Sequence, residues 1–157
     1  MSEVKITPFD SKGLLQLKDL DCFPLPIERD SIYIMFYRFF RNTCRLAYIN
    51  EELVGFVLGV VDQTEQSHVY IHYLFVKEEH RGQHIGIGLM NELIHYLRNN
   101  NYSKVTLMTG KDNEINIRFY SRLGFKLENE INEELEKDLV INYILKDKKM
   151  LFFRLDL

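Results

Sequence analysis

Three strand-like runs stand in tandem between residues 44 and 76, and few architectures accommodate them. The run "CRLAYIN" (44–50) is followed by "EE" and then by "LVGFVLGVVD" (53–62), and after a short polar link comes "SHVYIHYLFV" (67–76). The first two, flanking the glutamate pair that follows Asn50, carry a hairpin signal. The third is rich in β-branched and aromatic residues, which suit a pleated, half-buried surface. A sheet is therefore the centre of whatever this chain builds.

The remainder supplies helices and further strands. "VKIT" (4–7) reads as a short strand. "FDSKGLLQLKDL" (9–20) reads as a short helix made irregular by Gly13, and "CFPLPIERD" (22–30), with two prolines, reads as a breaker. "DSIYIMFYRFFRNT" (30–43) begins on Asp30 or Ser31, either a fair N-cap, and is so dense in apolar residues that its helix must be largely buried or line an apolar pocket. Residues 84–99 place Ile85, Leu89, Leu93, Ile94 and Leu97 on one side of a helix that "NNN" (99–101) ends. "SKVTLMTG" (103–110) is a strand. "NEINIRFYSRL" (113–123) is a helix closed by Gly124 as the C′ residue. "NEELEKDLVINYIL" (132–145) reads as helical, and "MLFFRLDL" (150–157) as a last strand. The order β-α-α-β-β-β-α-β-α-(α)-β indicates an α+β or mixed α/β layer stack.

Length and composition narrow the classes further. At 157 residues the chain suffices for one domain with a single core, taken here as residues 1–157, and 46% hydrophobic residues exclude disorder. No apolar run approaches the length of a membrane span, and the polar start "MSEVKITPFD" is unlike a secretory leader. A net charge of −3 gives no reason to expect nucleic acid as a partner. Cys22 and Cys44 are too few and too far apart for a metal knuckle and read as plain buried thiols. A reducing cytoplasm fits these features, and neither a membrane nor a metal is expected as a partner.

The stretch "EEHRGQHIGIGLM" (78–90) asks for an explanation, because glycine costs about 1 kcal/mol relative to alanine inside a helix. A strand running through a tight loop into a helix N-terminus makes a place for anions: loop amides point inward, and the helix dipole adds roughly half a positive charge. Glycine lets a phosphate approach the backbone closely. Gly82, Gly86 and Gly88 thus read as cradle positions with Arg81 as a fixed positive charge beside them. Turn glycines beside a surface arginine would be the plainer reading. A dinucleotide site is disfavoured, since no strand–helix unit opens the chain with the right glycine order, and the lysine–serine pair of a nucleotide P-loop is missing.

Two segments together carry a resemblance. Gln83-His84-Ile85-Gly86-Ile87-Gly88, approached by "LFVKEEHRG" (74–82), is similar to the Q/R-x-x-G-x-G/A motif of the GNAT superfamily of acyl-CoA N-acyltransferases. "NEINIRFYSRLGF" (113–125) resembles that superfamily's second signature, N-x-x-A-x-x-F-Y-x-x-L-G-F: Asn113, Phe119, Tyr120, Leu123, Gly124 and Phe125 match, and Asn116 stands where alanine is usual. The resemblance implies a GNAT-like fold, with a single central, mostly antiparallel twisted sheet splayed open between its fourth and fifth strands and flanked by helices. It also implies an acetyl-CoA site. The pyrophosphate would rest on the amides of residues 83–88 (Gln83, His84, Ile85, Gly86, Ile87, Gly88), with Arg81 and Gly82 nearby. Pantetheine would pair with the main chain of Leu74, Phe75 and Val76, and Asn113 would contact the cofactor arm from the far side. Relatives also suggest a homodimer formed through the last strand.

Acetyl transfer to an amine sets two proton problems. With an amine pKa of about 10.4, only about 1 molecule in 2,500 is unprotonated at pH 7, and deprotonation costs roughly 4.6 kcal/mol. A base must carry that proton away. The departing thiolate, of pKa about 8.5, then accepts a proton that a phenol of pKa about 10 can give with a small uphill step. By the resemblance Tyr120 is the general acid and also lies at the cofactor; read without it, Tyr120 is a core tyrosine on an amphipathic helix. A two-residue period puts His68, Tyr70 and His72 on one face of the third run until a bulge resets the register. His72, with an unperturbed pKa of about 6.5, is the candidate base, and Tyr70 on the same face is a further catalytic candidate, since the family draws its base from such central-strand positions with varying identity; a hydrogen-bonded histidine on a sheet face is the competing reading. A zinc site of His68 and His72 lacks a third ligand at a convincing spacing. His80, His84 and His95 read as loop or solvent-face residues. The oxyanion donor, by analogy with the family, is the amide of Leu74 or Phe75.

The acceptor is least defined. "DSIYIMFYRFFRNTC" (30–44) followed by "LVGFVLG" is similar to the matching stretch of the diaminobutyrate acetyltransferases, which implies a small diamine or amino acid. A protein N-terminus or lysine is the alternative acceptor, and a non-catalytic acyl-CoA sensor is an alternative of another class. The carboxylates of Glu128, Glu130, Glu133, Glu134, Glu136 and Asp138 either steer a cationic amine or form a solvated face.

Overall fold

The computed structural model describes residues 3–17, 19–20, 26–128 and 150–157. The chain divides into two compact units, Met1–Ser103 with Leu157, and Lys104–Asp156.

The first unit is built on an antiparallel run of four strands in sequence order: β1 (Val4–Pro8), β2 (Cys44–Ile49), β3 (Glu52–Val61) and β4 (His68–Val76). The β2–β3 turn is two residues long, Asn50 and Glu51, both with positive φ (48° and 69°), and Ile49 pairs with Glu52 across it. Paired positive φ values mark the type I′ turn, whose twist matches that of the strands it joins. The sequence expectation put the turn one residue later; Asn50 tolerates the left-handed conformation better than glutamate does and pulls it back.

Successive β2 residues show how the faces divide. Leu46 belongs to a buried cluster with Phe9, Leu17, Tyr33, Phe36, Phe56 and Leu58. Arg45, its neighbour and so on the opposite face, lies under the ring of Tyr96, 4.5 Å from its centroid, on α3 (Ile85–Asn99). One face is thus covered by α1 (Ser11–Leu17), Leu20, Tyr33 and Phe36, the other by α3, whose Leu89, Met90, Leu93 and Leu97 are fully buried. Each such leucine contributes about 1.5–3 kcal/mol relative to exposure. Asp10 caps α1, its carboxylate accepting from the Gly13 amide at 2.7 Å.

The helix expected at residues 30–43 begins earlier, as α2 (Pro26–Met35), so Asp30 and Ser31 lie inside it and do not cap it. Proline at the first helical position is favoured, because its missing N–H would have no intrahelical partner there. After Met35 the helix widens into a π turn, Phe36–Phe40, and tightens into a 3-10 turn, Arg41–Thr43, before β2.

The second unit pairs β5 (Lys104–Gly110) antiparallel with β7 (Met150–Asp156), in unbroken register from Lys104 opposite Asp156 to Gly110 opposite Met150. α4 (Glu114–Arg122) follows β5. A two-residue strand, β6 (Lys126–Leu127), pairs with β7 through Arg154 and Phe153; it was not anticipated from the sequence, being too short to show alternation. The helix expected at 132–145, Cys22, and the acidic residues Glu130, Glu133, Glu134, Glu136 and Asp138 lie outside the described residues.

Candidate functional site

β4 is not a regular strand. Leu58 pairs with Tyr73 and the next β3 residue, Gly59, pairs with Ile71, so His72 is an extra residue without a partner in the register: a β-bulge. Before the bulge, Val69 and Ile71 are buried while His68 and Tyr70 alternate with them. At the bulge, the His72 ring meets Phe36, with centroids 5.4 Å apart. Beyond it, Tyr73 and Phe75 both stack on Phe56, at 5.8 and 5.4 Å. The bulge thus brings His72 and then Tyr73 and Phe75 to the face that carries Phe36 and Phe56. His72 retains solvent access, yet the apolar surface on its other side lowers its pKa below the usual histidine value; burial likewise raises that of Tyr70. His68 makes a different contact: its Nδ1 lies 3.0 Å from the Asp62 carboxylate. Asp62 in turn accepts from the Thr64 amide and hydroxyl (2.8 and 2.7 Å), and these bonds hold its pKa far below the carboxylate range.

Leu74, Phe75 and Val76 pair on one side with Val57, Phe56 and Gly55 of β3. The chain leaving Val76 is tied down at several points. The Lys77 amide donates to the Val54 carbonyl (2.8 Å), the Lys77 ammonium pairs with Glu52, and Arg81 Nε donates to the Val76 carbonyl (3.2 Å). A 3-10 turn, Glu78–His80, leads to Gly82 at φ +77°, where a side chain would meet no atom within 4 Å. His84 adopts the left-handed conformation (φ 61°, ψ 12°) as the N-cap of α3 without a side-chain capping bond. The first four N–H groups of a helix, here those of His84, Ile85, Gly86 and Ile87, have no intrahelical acceptor. The Gly88 amide donates to the His84 carbonyl at 2.9 Å and closes the first turn, and a Cβ at Gly88 would lie 2.9 Å from the Ile6 Cδ1. Residues 81–84 are exposed, so the opening they frame has positive dipole, free amides and room, as a diphosphate requires. His95 is exposed and shares a 2.9 Å contact with Asn99; His80 is half-buried in the loop.

In the second unit, the Asn113 side chain caps α4, accepting from the Asn116 amide at 3.1 Å. The unexpected Asn116 donates through Nδ2 to the hydroxyl of Thr109 on β5 (3.3 Å), which gives the polar substitution a partner. Tyr120 is 7% exposed and packs among Phe119, Phe125 and Phe153 at 5.1–6.4 Å. Its carbonyl accepts from the Phe125 amide (3.1 Å), and the Ser121 carbonyl accepts from the Gly124 amide (3.1 Å), with Gly124 at φ +91°. This is a Schellman motif complete with its apolar contact, Tyr120 against Phe125.

Sequence reasoning missed the π turn and Phe36 as a neighbour of His72. It also missed Asp62 as the partner of His68. Asp62 directly follows β3 in the polar loop that leads to His68, and its Asx-turn context was the one available signal.

Comparisons with known proteins agree with this arrangement. The model of the acetyltransferase (GNAT) family matches residues 14–125. An L-2,4-diaminobutyric acid acetyltransferase of Marinococcus halophilus is 32% identical over 101 residues, 63% of this chain and 58% of that protein, so the chain spans little more than half of that relative's length. An N-acetyltransferase of Methanocaldococcus jannaschii is 31% identical over 124 residues, 77% of each. Among solved structures, Arabidopsis thaliana Naa50 in complex with the bisubstrate analogue CoA-Ac-MVNAL superposes with a TM-score of 0.77 at 26% identity, covering 98% of this chain and 99% of that one. With the strand end, glycine loop and helix start in the order that the motif demands, and the family model covering well over half the residues, the chain belongs to the GNAT family of acetyltransferases.

Proposed function

We propose that the 157-residue chain is a single catalytic domain that transfers the acetyl group of acetyl-CoA to a primary amine by direct attack on the thioester. The observation that carries this reading is the start of α3. An open glycine turn, an arginine anchored to the end of β4 and four helix-initiating amides converge where a diphosphate would bind. The site residues keep the roles that the family resemblance implies: Leu74, Phe75 and Val76 along pantetheine; Arg81, Gly82 and residues 83–87 on the pyrophosphate; Asn113 on the cofactor arm. Gly88 contributes by its small size, since its amide is engaged within the helix.

His72 takes the proton from the acceptor ammonium, and its lowered pKa keeps the imidazole neutral and receptive at pH 7. Tyr70 flanks it on the same face. As the new N–C bond forms and the C–S bond breaks, the Tyr120 hydroxyl returns a proton to the sulfur. The acceptor nitrogen gives up two protons, one to His72 before it attacks and one to solvent as the tetrahedral intermediate collapses; the thiolate gains one from Tyr120, which solvent reprotonates, so that turnover forms the amide and CoA thiol and releases one net proton.

The acceptor is a small diamine or amino acid. Support comes from the diaminobutyrate acetyltransferase at 32% identity and from a cavity of about 410 Å3 in the first unit. Its apolar wall is Leu20, Leu53 and Phe75; Glu52 and Lys77, which pair with each other, line it too, and the carboxylates of Asp19, Glu78 and Glu79 leave it net acidic, which suits an alkylammonium. A protein N-terminus is the second reading, favoured by the peptide-bearing analogue in the Naa50 complex. The enzyme acts in the cytoplasm, as a homodimer; among the described residues no helix is long and apolar enough to cross a membrane.

Calorimetric titration with acetyl-CoA, followed by thiol release with a panel of diamines, amino acids and N-terminal peptides, tests the proposal. Binding with turnover of a diamine is expected. Turnover of peptides alone moves the acceptor to proteins, binding without any turnover makes the chain a sensor, and no binding removes the enzymatic reading.

A further inference from the structure

Two irregularities of the first unit meet at one point. The π turn Phe36–Phe40 inserts a residue into a helix, and the bulge at His72 inserts one into a strand. Both kinds of insertion are enriched next to functional sites. Phe36, the first residue of the π turn, is 0% exposed, and its ring lies at 31° to the His72 imidazole with centroids 5.4 Å apart. On its other side Phe36 is backed by Phe40 at 5.8 Å and by the buried cluster around Tyr33 and Phe56. The wall that the imidazole rests on is therefore rigid, and the bulge leaves His72 outside the paired register of β3 and β4.

Among the described residues of this unit, the surroundings of the imidazole are otherwise apolar or neutral. Across from the bulge on β3 stand Leu58, Gly59 and Val60; on β4 the neighbours are Tyr70 and Tyr73; on the π turn they are Phe36 and Phe40, and its charged residue, Arg38, is exposed, as is Arg41 after it. The Gly59 carbonyl is engaged by the Thr43 hydroxyl at 2.6 Å.

We infer that Phe36 is a positioning residue for the reaction: its ring, held by the π turn, fixes the orientation of the His72 imidazole at the β4 bulge and keeps water from one of its faces. The inference rests on the reading of His72 as the base. A planar wall limits the imidazole to rotation within a narrow slot, and orientation is what a general base needs before its pKa matters. Removing water from one face also disfavours the charged form.

The test uses the full chain with Phe36→Leu, and with Phe36→Met, whose flexible side chain fills irregular gaps, as a second variant should the first fold poorly. Histidine-labelled protein is titrated by NMR, with the exposed His95 as the internal reference, and the pH profile of kcat/KM is recorded alongside. The His72 midpoint is expected to rise toward the ordinary histidine value. The acid limb of the rate profile should move upward with it. At pH 7 kcat should fall about tenfold, a fraction of the whole effect of a general base, with KM for acetyl-CoA unchanged. A His72 midpoint that does not move in either variant overturns the inference. A midpoint that moves while the rate limb stays fixed overturns the assignment of His72 as base, and the positioning role falls with it, whereas acetyl-CoA binding and turnover remain as evidence for the acetyltransferase reading.

Discussion

Single side chains carry the chemistry, and their environments give signs that can be measured. The folded His72 has a pKa below its unfolded value of about 6.5, so the unfolded chain binds more protons as the medium is acidified. Its contribution to stability is intact above pH 6.5 and is lost as pH falls below it. The acid limb of kcat/KM should for the same reason lie below pH 6.5, and a limb at or above that value would exclude His72 as the titrating base. Burial pushes the Cys44 thiol up to about 12, and its Sγ–H donates to the Phe40 carbonyl at 3.2 Å. The native protein at pH 8 should leave Cys44 unmodified by iodoacetamide in mass spectra, with modification appearing only on unfolding. Tyr120→Phe should lower kcat by at least about tenfold, as loss of a general acid does, with little change in the thermal midpoint. Tyr120 was legible because it sits in a motif. Phe36 was not, because "YIMFYRFF" offers six aromatic or aliphatic neighbours of equal claim, and only the helix phase, reset by the π turn, selects the one that faces β4.

At the scale of elements, helix ends do more than bound helices. Gly124 holds the left-handed position of the Schellman motif whose C3 residue is Tyr120, so the end of α4 and the catalytic candidate are one structure. Gly124→Ala should cost about 1–2 kcal/mol, the penalty for a Cβ in that region, read as a fall of about 2–4 °C in Tm per kcal/mol. Asn113 has a structural duty as well as the proposed cofactor contact. Asn113→Ser keeps an N-cap oxygen and Asn113→Ala removes it, so only the alanine variant should lose about 1 kcal/mol of stability. A loss of acetyl-CoA affinity in both variants would separate the cofactor contact from the cap. Strand positions, α3 and the end of α4 were readable because period and turn chemistry agree there. The start of α2 was not, because a proline serves equally as a helix breaker and as a first helical residue, and the sequence does not mark Pro26 as the latter. The sequence allows for a bulge in this strand, but its position at His72 was not legible: no residue type in "YIHYLF" fixes it, and the demand comes from the two faces that Ile71 and Tyr73 must reach.

Across the whole molecule, the proposed parts are distributed: the amide cradle and His72 belong to the first unit, Asn113 and Tyr120 to the second. The motif spacing announced both sets, but sequence says nothing of how firmly one unit answers to the other, since that depends on packing between residues far apart in the chain. A single ligand serving both sets makes a specific demand on the molecule. Acetyl-CoA at a hundredfold excess over its Kd should stabilise the fold by about 2.7 kcal/mol, and any group it contacts should share that protection. Hydrogen exchange with and without acetyl-CoA should therefore slow at residues 81–88 and also along α4 (Glu114–Arg122). Protection in both places means that ligand binding and ordering of α4 are coupled, so Tyr120 is brought to its task by the cosubstrate itself. Protection confined to residues 81–88 would leave the cradle as a diphosphate site and would count against the proposed contact of Asn113 with the cofactor arm, because a ligand held at the N-cap of α4 should slow exchange in its first turn.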